Sequence, residues 1–268
     1  MGTLGTIDAV LGITAFAAVG VMVLLHEIDV HTRRLRLHMD GLSKPGFLPP
    51  PPTVTGQRRQ YGLSRFLTWL IVGRVKVEGQ ENLAKLPEGC SCQITPNHSH
   101  YADVFVMPVV LKGRGVRYMA DAAVMGGAGG LLGLLIAPMG AFAANRQAGI
   151  EVLNSGQGMV IFPEGWTYLD GVMGIFRRGA VNMCRVSAAA TQKQSYLVPA
   201  YIKYGRYPGA WIKKLPIRLQ YAVMLLAFPY YRRGVSVVIG EPISSAALGG
   251  DDKIDTEFLR SEVLKLKR

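Results

Sequence analysis

Short apolar runs alternate with longer amphipathic stretches along most of the chain, and this pattern predicts repeated strand and helix units. Most of the apolar runs are bounded by glycine, proline or charged positions, as is typical of strands buried in a parallel sheet. Such alternation indicates an α/β fold with a mostly parallel central sheet flanked by helices. Strands are expected over 74–79, 91–95, 117–120, 137–144, 158–162, 196–203 and 235–240, and helices over 61–72, 101–111, 146–154, 180–190 and 256–267.

An uncharged stretch, Ala9–Leu25, precedes this pattern and predicts an N-terminal membrane-anchoring helix. As a helix it would be about 26 Å long, close to the hydrocarbon core of a bilayer at about 30 Å. A cleaved signal peptide and an in-plane helix are the alternatives, although the absence of Lys and Arg before the run disfavours a signal peptide. Arg33, Arg34, Arg36 and Lys44 follow the run, and the positive-inside rule then places the rest of the chain in the cytoplasm.

A proline-rich segment separates this anchor from the alternating units. Pro49–Pro52 are consecutive prolines, which stiffen the chain and exclude a helix. The sequence therefore predicts three parts, which are a membrane anchor with a basic juxtamembrane segment (1–44), a linker (45–60) and a catalytic domain (61–268). Two further apolar stretches, 124–144 and 220–231, are predicted to be buried or to rest on the membrane surface.

Composition and charge favour a lipid partner. Hydrophobic residues make up 49% of the 268 positions, charged residues only 18%, and the net charge is +12. A strongly basic chain calls for an anionic partner, and the basic residues here lie beside apolar runs, which favours phospholipid over nucleic acid. The three cysteines, Cys90, Cys92 and Cys184, are an odd number in apolar surroundings, which argues against a disulfide framework.

His98 and Asp103 supply candidate acid–base chemistry between the strand over 91–95 and the helix over 101–111. On one regular helix the two side chains would point about 140° apart. If His98 lies in a loop and Asp103 in the first helical turn, the carboxylate reaches one ring nitrogen and leaves the other free. The pair then has the geometry of a general base and its orienting acid. From these residues alone, a structural histidine at a helix start remains the alternative.

Four sequence blocks in a fixed order resemble the glycerolipid acyltransferases, the family of lysophosphatidate and glycerol-3-phosphate acyltransferases. The blocks are NHxxxxD at 97–103, GxFxxxR at 140–146, FPEG at 162–165 and VPA at 198–200. Together with their flanking strands they cover roughly 75–243.

The resemblance implies an O-acyltransferase of phospholipid biosynthesis. Its acyl donor would be acyl-CoA or acyl carrier protein, with no other cofactor and no metal. Its acceptor would be a lysophospholipid such as 1-acylglycerol-3-phosphate, or alternatively glycerol-3-phosphate or another lysolipid. Such an enzyme would act at a membrane, where its lipid acceptor resides.

The resemblance also implies a function for individual residues. His98 would be the general base, Asp103 would orient it, and Asn97 or neighbouring backbone N–H groups would stabilise the oxyanion. Arg146 would bind the acceptor phosphate, since a guanidinium fits that anion bidentately; a solvated arginine is the alternative. Further predicted substrate-binding residues are Glu164, Gly165, Arg177 and Arg178, of which Glu164 has a structural ion pair as its alternative.

Two departures from the family pattern bear on the acceptor. The family often continues FPEG with Thr-Arg-Ser, whereas this chain continues with Trp166, Thr167 and Tyr168. The missing arginine weakens the link to lysophosphatidate in particular. Phe142 also lies one position early in the second block, which loosens the match that carries Arg146.

Three competing hypotheses follow from the same residues. Cys90 and Cys92 with His98 and His100 have the ligand types of a zinc site, although the spacing matches no common finger. Ser99 is a candidate covalent nucleophile but lacks a GxSxG elbow. The third hypothesis is a lipid-binding relative without catalytic activity.

Overall fold

The computed structural model describes residues 50–267 apart from 112–113, 126–132, 134–135, 217–218, 221–222, 224–229 and 231. The predicted anchor over Ala9–Leu25 lies outside these residues. Within the described part of the chain, no helix combines the length and apolar character needed to cross a bilayer.

Within the described residues, eight strands form one sheet, with β8 paired beside β6. The order of the other seven across the sheet is β1-β7-β6-β2-β5-β3-β4. Neighbours are parallel except that β6 runs antiparallel to β7 and β8, so the prediction of a mostly parallel sheet is confirmed. The strands are β1 (Val75–Glu78), β2 (Ser91–Pro96), β3 (Arg117–Ala120), β4 (Ala141–Ala143), β5 (Gly158–Val160), β6 (Ser195–Tyr204), β7 (Val235–Ile239) and β8 (Ile243–Ser244).

Helices cover both faces of this sheet, as the apolar character of its strands requires. The α-helices are α1 (Val54–Ile71), α2 (Asp103–Val110), α3 (Ala122–Met125), α4 (Arg146–Asn154), α5 (Gly179–Thr191) and α6 (Asp252–Lys265). Short 3₁₀ helices cover Gln80–Lys85, Ala137–Met139, Ala210–Lys214 and Ser245–Ala247.

Alternate residues of β6 show how the two layers of core are built. Val198 and Ile202 face the core formed with α2, where Val106 is fully buried. Leu197 and Tyr201 face the opposite core, formed with α5 and α6. Because β2 lies next to β6 at the centre, all six of its residues are buried.

The first described helix, α1, begins earlier than the sequence pattern indicates. It starts at Val54, inside the predicted linker over 45–60, rather than at Tyr61. The Thr53 hydroxyl accepts a hydrogen bond from the Gly56 N–H at 2.9 Å and so caps the helix directly after the prolines. The polar residues of the first two turns conceal this start in the hydrophobic pattern.

One edge of the sheet collects the ends of five strands. Strands β2, β3, β4, β5 and β6 are parallel to one another, so their carboxyl ends lie at the same edge. The register places Ile94 opposite Val160, Val160 opposite Tyr118, and Tyr118 opposite Ala141. The chain after β2, β4 and β5 therefore carries His98, Arg146 and the FPEG block to one edge, the usual position of a ligand site in an open α/β sheet. The VPA block lies within β6, where Ala200 pairs with Pro96 at the end of β2.

Candidate active site

The loop between β2 and α2 is fixed by Asn97. Its side-chain Nδ2 donates to the Ile202 carbonyl at 3.1 Å, and its Oδ1 accepts from the Ile202 N–H at 2.6 Å. The amide is buried and ties the end of β2 to β6. This geometry favours a positioning function for Asn97 over the predicted contact with the oxyanion.

Asp103 lies in the first turn of α2 and folds back onto this loop. Its Oδ2 lies 2.8 Å from His98 Nδ1 and also accepts the backbone N–H groups of Ser99 at 2.8 Å and His100 at 3.0 Å. Its Oδ1 accepts the Tyr204 hydroxyl at 2.5 Å. The carboxylate is fully buried, so these four contacts fix both its position and the orientation of the His98 ring.

The other ring nitrogen of His98 faces a hydroxyl. Thr167 Oγ1 lies 2.9 Å from His98 Nε2. Because the Nδ1–H faces the carboxylate, Nε2 is the acceptor and the hydroxyl of Thr167 donates. Phe162 stacks on the ring with centroids 4.2 Å apart, yet 16% of the His98 side chain remains exposed. The arrangement can take a proton from a hydroxyl bound at Nε2.

Glu164 of the FPEG block braces the same loop. Its Oε1 accepts the His98 backbone N–H and its Oε2 accepts the Gly174 N–H, each at 2.7 Å. Burial raises the pKa of the Glu164 carboxyl above its usual value, while these two hydrogen bonds oppose the rise. The Tyr168 N–H donates to the His98 carbonyl at 2.7 Å, which locks the two loops together.

Gly165 gives the FPEG turn its shape. Its φ of +61° lies in the left-handed region that favours glycine. A Cβ at this position would come within 2.6 Å of Arg177 Nε, so the bare backbone leaves room for the Arg177 side chain. The structure thus brings Arg177 against the turn that holds Glu164.

The other predicted arginines lie at exposed helix starts. Arg146 begins α4, which Asn145 caps by accepting the Ala148 N–H at 3.1 Å. Strand β4 lies three strand spacings from β2, or about 14 Å, so Arg146 shares the edge of the sheet with His98 without contacting it. Arg178 precedes α5 and lies close enough to Asp251 to help lower the pKa of that carboxyl, after the dominant Ile254 and Lys253 N–H groups.

Comparison with known proteins identifies the domain that these elements form. The sequence profile of the acyltransferase family matches residues 74–203, which contain all four blocks. The chain therefore carries an acyltransferase domain over these residues. A search of the curated proteins found no match.

A solved structure shares the fold of this acyltransferase. The crystal structure of the 1-acyl-sn-glycerophosphate (LPA) acyltransferase PlsC from Thermotoga maritima superimposes with a TM-score of 0.55 at 18% sequence identity. The match covers 79% of this chain and 78% of the PlsC chain.

The second imidazole of the acyltransferase site lies deeper than His98. His100 is fully buried, stacks on the Tyr204 ring with centroids 4.6 Å apart, and its Nδ1 accepts the Ala102 N–H at 2.9 Å. Burial lowers the pKa of His100 to about 4, against the opposing effect of Asp103. His98, which solvent reaches, is therefore the better-placed base.

Thr167 and Tyr204 contact the pair directly, and sequence reasoning missed both. In the sequence, Thr167 stood out only because it occupies the position after FPEG where the family often has an arginine. Tyr204 ends β6 at the same edge of the sheet where β2 ends. No local sequence pattern placed it near Asp103, because the adjacency of β6 and β2 is a property of the strand order across the sheet.

The geometry does not support the two rival sites within the acyltransferase domain. Cys92 lies near the start of β2 and His98 follows its end, about 20 Å along an extended strand, so the proposed zinc ligands diverge. No group of three His, Cys, Asp or Glu side chains in the described residues is arranged to hold a metal. The Ser99 hydroxyl is buried and has no hydrogen-bond partner among the residues that the structure describes, so it does not contact His98 as a nucleophile would.

Proposed function

We propose that the domain transfers a fatty acyl group from an acyl thioester to a hydroxyl of a lysophospholipid such as 1-acylglycerol-3-phosphate. The donor is acyl-CoA or acyl carrier protein, and the reaction belongs to phospholipid biosynthesis. One observation carries the proposal. His98 has Nδ1 fixed by the buried Asp103 and Nε2 directed at a hydroxyl, the geometry that activates an alcohol.

The reaction needs a base because an alcohol is a poor nucleophile near neutral pH. His98 Nε2 removes the proton of the acceptor hydroxyl as its oxygen attacks the thioester carbonyl, and Asp103 stabilises the imidazolium that forms. The C–S bond then breaks, and the same proton passes to the departing thiolate. Such general base assistance contributes about 10²- to 10⁴-fold to the rate. The acceptor hydroxyl takes the place beside Nε2 that the Thr167 hydroxyl holds in this structure.

The substrate-binding residues divide into two groups. Arg146 and Arg177 present exposed guanidinium groups at this edge of the sheet and bind phosphate groups of the substrates. Arg178 adds positive charge beside them. Glu164 and Gly165 support the site rather than bind substrate. Glu164 holds the backbone of the His98 loop, and Gly165 forms the turn against which Arg177 packs.

The acceptor lies in a membrane, and the surface around the site is suited to one. Trp166, Val172 and Ile175 are exposed apolar side chains on the loop after β5, and Trp211 is exposed on the 3₁₀ helix after β6. Exposed large apolar side chains near basic residues favour an anionic lipid surface. We infer that the protein is a single-pass or monotopic membrane protein with this domain on the cytoplasmic side.

Replacing His98 tests the reaction. The variant His98→Ala should reduce acyl transfer by at least about 10²-fold, because it removes the group that takes the proton of the acceptor hydroxyl. Release of free thiol from acyl-CoA in the presence of lysophospholipid measures this loss. Circular dichroism and recovery in the membrane fraction should match the wild type, and turnover at the wild-type rate would refute the catalytic function of His98.

Replacing Arg146 tests the acceptor subsite. The variant Arg146→Ala should raise KM for 1-acylglycerol-3-phosphate by about tenfold, since it removes a charged hydrogen bond to phosphate. KM for the acyl thioester should stay unchanged. Steady-state kinetics with each substrate varied in turn separate these effects, and an unchanged acceptor KM contradicts this function of Arg146.

A further inference from the structure

Lys213 lies at the active site although no sequence block contains it. Its Nζ is 4.8 Å from the ring centroid of Tyr168 and 5.6 Å from that of Trp166. These two residues flank Thr167, whose hydroxyl contacts His98 Nε2. The connection after β6 therefore brings the ammonium of Lys213 to the segment 166–168, where the family often has an arginine that this chain lacks.

The backbone around Lys213 is anchored on both sides. Lys213 belongs to the 3₁₀ helix Ala210–Lys214, in which Ile212 is fully buried and clusters with Leu169 of the loop after FPEG. The Gly209 N–H donates to the Leu169 carbonyl at 2.7 Å, which attaches the start of this helix to the same loop.

Gln220 provides the second anchor. Its Nε2 donates to the Leu215 carbonyl at 2.8 Å, and its Oε1 accepts the hydroxyl of Tyr101 from the His98 loop. The backbone that carries Lys213 is thus attached to the loop after FPEG and to the His98 loop, and the Tyr168 and Trp166 rings lie beside its ammonium.

The ammonium group is partly desolvated and has no paired anion among the described residues. Burial lowers the pKa of Lys213, while Asp170 and Glu164 act in the opposite direction. Both carboxylates already have partners, because Asp170 accepts the Val172 N–H at 3.1 Å and Glu164 accepts two backbone N–H groups. Over the described residues, the Lys213 ammonium contacts two rings and makes no hydrogen bond or ion pair. Such a cation is stabilised by an anionic ligand.

We propose that Lys213 binds a phosphate group of a substrate held at His98. The identity of the substrates rests on the proposed function. This phosphate can belong to the head group of the lysophospholipid or to the acyl donor. An ammonium on a flexible stem accepts either, since it acts as a point charge rather than as a planar fork.

Lys214 provides a matched control. It is the next residue of the same 3₁₀ helix and is exposed, with no ring contact among the described side chains. The variants Lys213→Met and Lys214→Met therefore remove the same charge from the same segment, and Lys213→Arg restores the charge at the proposed site. General attraction of a basic protein to anionic lipid changes equally in both Met variants.

Binding and turnover are measured in the full chain in detergent at fixed ionic strength. Isothermal titration compares 1-acylglycerol-3-phosphate with monoacylglycerol, which lacks the phosphate. Kinetics compare acyl-CoA with the acyl thioester of N-acetylcysteamine, which lacks the phosphates of the donor. Thermal unfolding confirms that each variant is folded.

We expect Lys213→Met to reduce the affinity for one phosphate-bearing substrate by about tenfold or more. The affinity for the matching compound without phosphate should stay the same. Lys213→Arg should recover most of this loss, and Lys214→Met should show less than twofold change. Loss confined to the lysophospholipid identifies the head group as the ligand, and loss confined to acyl-CoA identifies the donor. Equal affinities of wild type and Lys213→Met for every compound, or an equal loss in Lys214→Met, overturn the proposal. Lysophospholipid binding through Lys213 without acyl transfer would instead refute the proposed function.

Discussion

Asp103 is the residue that connects the parts of the site. Its two oxygens accept four hydrogen bonds, from the His98 ring, two backbone N–H groups and the Tyr204 hydroxyl. Burial and the adjacent Asp103 raise the pKa of Tyr204 well above its ordinary value, which keeps this phenol a donor. Tyr204 contacts no reacting atom and acts on His98 only through Asp103, so it is a positioning residue.

Removing the Tyr204 hydroxyl should lower the rate without changing substrate affinity. In Tyr204→Phe the ring still stacks on His100, but one oxygen of Asp103 loses its donor and the His98 ring is held less firmly. We expect kcat to fall by about tenfold with both KM values unchanged. Tyr207→Phe is the control, since the hydrogen bond of its hydroxyl within the described part of the chain is to the Tyr204 N–H, at 3.4 Å, and not to Asp103. Equal kcat values for Tyr204→Phe and wild type would exclude the positioning function.

The local part of the site was predictable from sequence, whereas its distant part was not. His98 and Asp103 are five positions apart and meet across a loop and one helical turn, so their spacing was sufficient evidence. Thr167 and Tyr204 join the site over separations of 69 and 101 residues. Contacts of that range depend on strand order, and β6 lies beside β2 only because the chain crosses over the sheet between them.

Helices α4 and α1 differ in how well the sequence pattern predicts where each helix begins. Helix α4 was predicted over 146–154 and has these bounds, because a cap at Asn145 and an apolar face indicate the same start. Helix α1 starts at Val54, where a Thr53 cap follows prolines and polar residues fill the first turns. Strand β8, Ile243–Ser244, is too short to produce a periodic signal.

Two glycines of α1 provide a test of how this helix packs. A Cβ at Gly56 would lie 1.9 Å from the Pro138 carbonyl oxygen, whereas a Cβ at Gly62 would meet no atom of the described residues within 4 Å. Gly56→Ala should therefore destabilise the protein by about 1–3 kcal/mol through overpacking. Gly62→Ala should stabilise it by up to about 1 kcal/mol through helix propensity. Chemical denaturation of both variants measures the difference, and equal effects would mean that α1 does not pack against the 3₁₀ helix Ala137–Met139.

At the scale of the whole molecule, the candidate catalytic residues and several basic side chains lie at one edge of the sheet. The loops after β2, β5 and β6 carry His98, the residues that contact it and Lys213 to the same place. The net charge of +12 adds a long-range attraction for anionic lipids and phosphorylated substrates. Activity on anionic vesicles should accordingly decline as ionic strength rises, since screening weakens this attraction.

The buried His100 makes the stability of the whole molecule depend on pH. Its pKa is lowered to about 4 by burial, whereas the ordinary value is 6.5. Between these values the unfolded chain binds a proton that the folded chain does not. The stability is therefore complete above about pH 6.5 and is lost as pH falls toward 4, by at most about 3 kcal/mol. Glu164 has a raised pKa and contributes the opposite slope, so the net change is smaller.

The variant His100→Asn isolates this contribution. Its side-chain oxygen keeps an acceptor for the Ala102 N–H but does not titrate in this range. It should be less stable than wild type at pH 7, because the stacking on Tyr204 is lost, and its stability should decline less steeply between pH 6.5 and pH 4.5. Denaturant unfolding at successive pH values gives the slope, with Gly62→Ala as a surface control that keeps the wild-type dependence. If the free energy of unfolding of His100→Asn depends on pH as steeply as that of wild type, His100 takes up its proton in the folded protein. Burial would then not be the property that determines which of the two imidazoles acts as the base.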